Sequence, residues 1–451
     1  METQRAQVPW GWTAWLALPW ATLHYLELAC AAPLTFTLRK FVEDPALLAF
    51  FASLNTAFTF TVGAVASYMS DRIWTPWGRR RPFLVVGWMG VVVALALIPL
   101  AGNLWTLAAL ILLLHLCQDI AKPYEPLYNE IVPPAQRGRA GIVRTTAVGL
   151  TGLVFNAVLF AGFDRDYHIA AFGGFHVRGE AVLYWAGAAF VAMTVLLVGC
   201  RVRETLPERV THERFELRRF LREVFGQPQW CRLYLLFACP FLAGMSFATF
   251  VPLFQTEQLG FSKSDVAYAG AIALLTSIVC FVPLAGFLAD RVSRLRLFQI
   301  GLAGPALVNV VLFLVVRYRV APIEYPALVA FNIVSVGFLA LLHVAWGPLL
   351  YDYVPPERFG TVSAGFSVVG GIAGFVLANA AGGWIKLFSA LDGRLAQGQF
   401  DYSSIFIFQL LCTVVALGVT VAFQRWVACG DIVPYARQVL PPPAAGSYPT
   451  N

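Results

Sequence analysis

Long apolar runs broken by short polar turns dominate the chain. They fall near residues 14–38, 46–69, 83–101, 104–127, 141–161, 181–200, 233–255, 266–288, 297–317, 325–350, 361–388 and 403–425. A helix of about 20 residues crosses roughly 30 Å of hydrocarbon, and each run has that order of length. The runs are continuously apolar rather than alternating, which favours helices over a barrel, because each span must satisfy its own backbone polar groups. Glycine and proline inside them are tolerated in membrane helices. The pattern predicts an all-α polytopic membrane protein with 12 transmembrane helices.

Composition agrees: of 451 residues, 59% are hydrophobic and 13% charged, and mean hydropathy is +0.69. The basic residues decide orientation. Arg72, Arg79, Arg80 and Arg81 crowd the turn at 70–82, seven arginines stand in 201–230, and Arg291, Arg294 and Arg296 follow the eighth run. Twelve spans put all of these on one side, which the positive-inside bias makes cytoplasmic, with both termini. The net charge of +7 therefore describes topology, and nucleic acid is not an expected partner. METQRAQVPWGW lacks a signal-peptide pattern, and a multi-pass protein of a bacterial plasma membrane is expected. The eight cysteines form no CxxC and the six histidines no HExxH, so neither metal nor cofactor is expected. With no nucleotide loop or GxSxG elbow, the chain does not read as an enzyme.

The chain also repeats itself. SDRIWTPWGRR follows the second run and ADRVSRLR the eighth, while NEIVPPAQRGRAG follows the fourth and YDYVPPERFGTVSAG the tenth. The charged segment RVRETLPERVTHERFELRRFLREVF lies between the halves and predicts a surface helix after Pro207. The expected division is an N-terminal six-helix bundle at 1–200, a cytoplasmic linker at 201–230 and a C-terminal six-helix bundle at 231–451. This pattern resembles the major facilitator superfamily along essentially the whole chain. GRRRPF at 78–83 resembles the corresponding turn of the sucrose transporters, within the glycoside-pentoside-hexuronide:cation symporters. The resemblance implies gating roles for Asp71, Arg72, Arg79, Arg80, Asp290 and Arg291 at the inner mouth. Arg81 is also readable as plain positive-inside retention.

Ionisable groups inside spans are costly in hydrocarbon, so each is a candidate site. His115, Gln118, Asp119 and Lys122 recur at helical spacing on the fourth run, followed by Glu125, and can share one face. Asp119 is the first choice for proton coupling, with either Lys122 or Arg144 of the fifth run as its cationic partner. The resemblance implies a functional acid in the fourth helix and a functional arginine in the fifth. Glu27, three residues after His24, is the competing proton carrier. His24, Trp20, Gln118, Asn156, His343 and Trp346 are candidates for substrate binding. The resemblance implies a substrate-recognising histidine in the first helix, where His24 stands. Other intramembrane polar residues of the second half are Gln255, Asn332 and Asn379. Glycines 365, 370, 371 and 374 fit close helix contact.

These features predict a monomeric secondary active transporter in the lipid bilayer, a proton-coupled symporter of a glycoside or disaccharide working by rocker-switch alternating access. A major-facilitator transporter of another small solute, including efflux, or a non-transport assembly factor of the same fold are the alternatives.

Overall fold

The computed structural model describes residues 10–70, 72–124, 127, 136–169, 175–201, 215–244, 248–289, 291–318, 322–354 and 358–435. Each predicted run contains helix among the described residues. The first divides into α1 (Trp10–Cys30) and α2 (Ala32–Arg39) at Ala31, where Pro33 enters the first turn of α2 and has no N–H to continue the ladder. Then come α3 (Pro45–Ser70), α4 (Arg81–Leu100), α5 (Leu104–Ile120), α6 (Ala140–Phe160) and α7 (Gly179–Gly199). The short helix α8 (Leu217–Phe225) lies within the predicted linker. The seventh run is split between α9 (Pro228–Ala243) and a later segment, α10 (Phe250–Leu253), which continues as a π-turn over Phe254–Gln258. The last five are α11 (Lys263–Ala289), α12 (Arg294–Arg317), α13 (Tyr325–Tyr353), α14 (Phe359–Leu391) and α15 (Ile405–Ala428).

Among the described residues nine helices are long and apolar enough to cross a membrane, against the twelve expected. The shortfall has local causes. Helix α1 is long enough at 21 residues, but its tryptophans with His24, Tyr25 and Glu27 make it less apolar; the seventh run is interrupted, and α5 is a 17-residue apolar helix. A second departure is a β-hairpin between α6 and α7, in which β1 (Asp166–Ile169) pairs antiparallel with β2 (Phe175–Arg178), His168 opposite His176. DYHI and FHVR are too short and polar for a period signal to stand out in an otherwise helical sequence.

Helix α1 packs against α6 and α7, and α4 against α5 and α7. Buried Thr22 of α1 and Thr194 of α7 share a 2.7 Å hydroxyl hydrogen bond. Later in the chain α12 packs on α13 and α15, and α9 on α14 and α15. The early and late helices meet where α3 runs along α14 and α6 along α11. Small residues permit the first of these contacts: a Cβ at Gly371 would fall 2.8 Å from Phe60 Cβ and 2.9 Å from the Thr56 carbonyl oxygen. Gly365, Gly370 and Gly374 are equally hemmed in, by Tyr234, Phe241 and Thr56. Outward-facing Val86, Leu196, Val279, Leu307 and Val414 are each more than half exposed. That is how a helix array meets lipid rather than water.

Candidate functional site

Three groups of polar side chains stand out, and the first is central. One turn of α1 separates His24 from Glu27, and His24 Nδ1 approaches Glu27 Oε2 at 3.4 Å. The Glu27 side chain is 67% exposed although it lies well inside α1. His24 Nε2 also lies against Gly152 of α6, 3.0 Å from where a Cβ would stand, with Leu274 of α11 on the same side. His343 of α13 is likewise exposed and interacts electrostatically with both His24 and Glu27. Helices α1, α6, α11 and α13 thus gather an accessible carboxylate and two imidazoles. Trp20, one turn earlier, carries the Arg144 guanidinium over its ring at 4.7 Å and meets Tyr124 edge-on.

The second group is buried. Asp119, 1% exposed, takes Lys122 Nζ at 2.9 Å and the Thr59 hydroxyl at 3.2 Å on Oδ1. Thr59 opens a π-helical turn, Thr59–Gly63, inside α3. Such turns relax the regular ladder and are common where a side chain must be re-aimed. Gly63 completes the approach, for a Cβ there would sit 2.8 Å from Asp119 Oδ1 and 2.9 Å from Lys122 Cδ. Of the two expected partners of Asp119, the structure shows Lys122 paired with it. The shorter i,i+3 reach gives Asp119 to Lys122, while Arg144 turns to the Trp20 face.

The remaining candidates separate. Asn156 donates to the Gly152 carbonyl at 2.9 Å and faces Gly270 across the α6–α11 contact. Trp346 packs with Phe237 and Phe298 rather than joining His343. Gln118 neighbours buried His115, Gln255 contacts Asn332 at 3.4 Å, and Asn379 bridges to Ser53 of α3 at 2.9 Å.

Charges at the two ends form the third group. At the arginine-rich end, Arg72 pairs with Glu223 of α8 at 2.9 Å and lies 3.6 Å above the Tyr68 ring; Arg219 takes the other Glu223 oxygen at 2.8 Å. Burial would raise the Glu223 carboxyl, but Arg219 and Arg72 together hold it below the usual range. Arg79 lies over Trp74, buried Arg80 stands beside it, Arg81 donates to the Gly199 carbonyl, and Arg291 lies over Phe287. Asp71, Asp290 and Glu125 lie outside the described residues.

The opposite end carries a latch that sequence reasoning missed. Arg39 grips Glu257 with two bonds, Nε to Oε1 at 2.7 Å and Nη2 to Oε2 at 3.0 Å. Lys386 meets Asp44 at 2.7 Å, and Lys263 meets Asp164 at 2.6 Å while lying over the Phe36 and Phe163 rings. Each pair joins a residue before 201 to one after 228. Lone charges in polar turns were the only signal, because the partners lie far apart in sequence.

Residues 11–378 and 236–429 match the family model described as Major Facilitator Superfamily. Among solved structures, the chain is similar to a POT family transporter in complex with a thioalcohol-conjugated peptide (TM-score 0.68, 11% identity, covering 92% of this chain and 96% of that one). It is similar also to a D-xylose-proton symporter (0.63, 15%, 89% and 96%) and to the nucleoside transporter NupG (0.58, 13%, 92% and 98%). At these identities the likeness is one of fold. No curated protein matches the sequence.

Proposed function

The chain belongs to the Major Facilitator Superfamily, whose members are small-molecule transporters of the lipid bilayer rather than enzymes, and on that premise we propose a proton-coupled carrier of a small polar solute. The observation that carries the reading is the His24–Glu27 pair, with Glu27 exposed inside α1, and His343 from the other half of the chain within electrostatic reach of both. A carboxylate and two imidazoles offer directional hydrogen bonds to hydroxyl, amide or amine groups. The spread of solved relatives over peptide, nucleoside and xylose carriers favours a broad solute class. The turn GRRRPF supports sugars as the first solutes to try.

In this proposal the twelve runs are twelve spans, grouped as 1–200 and 231–451 about a linker at 201–230, with both termini cytoplasmic. The latch holds the outer end shut. Asp119 is the proton site and Lys122 its counter-ion. Protonation breaks the ion pair, lets the Lys122 ammonium, on a side chain one-third exposed, turn to water, and leaves a neutral carboxyl between α3 and α5 that frees them to rearrange. The solute and the proton each favour the same rearrangement, which couples them.

The test is reconstitution in liposomes with a lumenal pH dye, adding sugars, nucleosides and short peptides outside in turn. Solute-dependent lumenal acidification that Asp119→Asn abolishes, while solute counterflow survives, is the expected result. Acidification lost in Glu27→Gln but kept in Asp119→Asn moves the proton site to the central cluster. Solute flux with no proton movement in wild type sinks coupling and leaves facilitated transport.

A further inference from the structure

Beside α8 lies a groove of about 910 Å³ that contains none of the polar groups above. Its walls come from α3 (Phe60, Val65, Met69), the start of α4 (Phe83, Val86) and α8 (Leu221). The groove therefore runs from the bilayer side of two spans up to a helix at the membrane boundary. Helix α8 is sharply two-faced. Phe220 and Val224 are buried, while Leu217 and Leu221 are 58% and 46% exposed at the groove. Arg218 and Arg222 are exposed on the next face, and neither forms an ion pair among the described residues. Arg72 and Arg219 already neutralise Glu223, the acidic group beside them.

On its other flank α8 borders a second hollow of about 470 Å³, lined by Arg222, Arg358, Gln227, Thr361 and the already paired Glu223 among others. One short helix thus separates an apolar trough from a polar one whose single carboxylate is already paired with two arginines. That ordering matches an amphiphile with a long hydrocarbon chain and a negative head. A neutral lipid would satisfy the trough and leave the arginines without a partner. Free phosphate would satisfy the arginines and leave Leu217 and Leu221 in water.

We infer that this groove binds one anionic phospholipid, its acyl chain between α3, α4 and α8 and its phosphate on Arg218 and Arg222. The bound lipid holds α8 against the end of α3, reinforcing the Arg72–Glu223 pair. Two arginines near an anionic headgroup correspond to a preference of about thirtyfold over a zwitterionic lipid.

Native mass spectrometry of the full chain in detergent, titrated with dioleoyl phosphatidylglycerol or dioleoyl phosphatidylcholine, tests this. Wild type is expected to take up a single phosphatidylglycerol at least about tenfold more tightly than phosphatidylcholine. Val86→Trp, at a side chain 63% exposed, fills the trough without entering the core and should weaken both lipids. The pair Arg218→Gln and Arg222→Gln should erase the headgroup preference and leave phosphatidylcholine uptake unchanged. Equal uptake of the two lipids by wild type, or a preference that survives both arginine changes, means ordinary annular lipid and overturns the proposal. So does displacement of phosphatidylglycerol by millimolar inorganic phosphate, which means a free-anion site. Lipid uptake that begins only after residues 436–451 are removed means that the chain's own tail fills the groove, and overturns it as well.

Discussion

The latch opposite the arginine-rich end can be weighed pair by pair, and Arg39–Glu257 is its strongest member. At 2.7 Å the gross Coulomb attraction is about 6 kcal/mol for an effective dielectric of 20 and about 1.5 kcal/mol in bulk water. The side chains are 22% and 34% exposed, so solvent screens part of this, and ordering two long side chains costs more. Arg39 is already held by its bond to the Glu43 carbonyl at 2.5 Å, which reduces that ordering cost. A net coupling of about 1–2 kcal/mol follows for a two-bonded, half-buried pair. The other two pairs are more exposed and contribute about 0.2–1 kcal/mol each.

Glu257→Gln should therefore raise the population open at this end about five- to thirtyfold. Hydrogen–deuterium exchange in nanodiscs reads this directly, as faster exchange over 39–44, 257–263 and 386–392. Arg39→Gln should give nearly the same increase, and the double variant should add little, because either change alone breaks both bonds. Molar salt should raise wild-type exchange at the same peptides. If the two single changes are additive in the double variant, the residues are not coupled and the latch argument fails. A wild-type exchange rate indifferent to each change refutes it equally.

Three further outcomes follow from the same geometry. Gly63→Ala places a methyl against Asp119 Oδ1 and Lys122; overpacking should cost about 1–3 kcal/mol and impair proton movement in liposomes, and unchanged Tm and proton flux would contradict the close approach. Arg72→Ala removes the Glu223 bond and the Tyr68 cation–π contact; exchange over 217–225 should quicken by about tenfold while the latch peptides stay unchanged. The Lys386 ammonium, hydrogen-bonded to Asp44, holds its carboxyl below the usual 3.8. Its stabilisation is complete above that value and is lost as pH falls through the depressed one. The Tm gap between wild type and Asp44→Asn should be steady from about pH 8 to pH 5 and close below about pH 4, whereas a gap that closes near neutrality would point to another group.

The parts legible in sequence were those governed by short-range rules. Apolar run length located every major helix, and the spacing of Asp119 and Lys122 announced a pair that the fold makes at 2.9 Å. Where side chains choose among partners on different helices, spacing lost its power. Arg144 was one of two expected partners for Asp119, and its guanidinium lies over the Trp20 ring. His343 and Trp346 are neighbours at i,i+3, yet one enters the central cluster and the other an aromatic core with Phe237. The latch was the hardest to foresee, since no local pattern ties Asp44 to Lys386. Its placement nonetheless bears on mechanism. Asp119 binds Thr59 of α3, and α3 is pinned at its other end to α14 through Asp44 and Lys386. Next to Thr59, Gly371 packs directly on Phe60, inside the same π-helical turn. A change at Asp119 therefore acts on the helix that also carries part of the latch. The irregular turn at Thr59–Gly63 is where α3 can yield without breaking its packing along α14. On the proposal that Asp119 takes the proton, loading and latch opening share one mechanical element, and a variant that straightens this turn should uncouple them before it unfolds the protein.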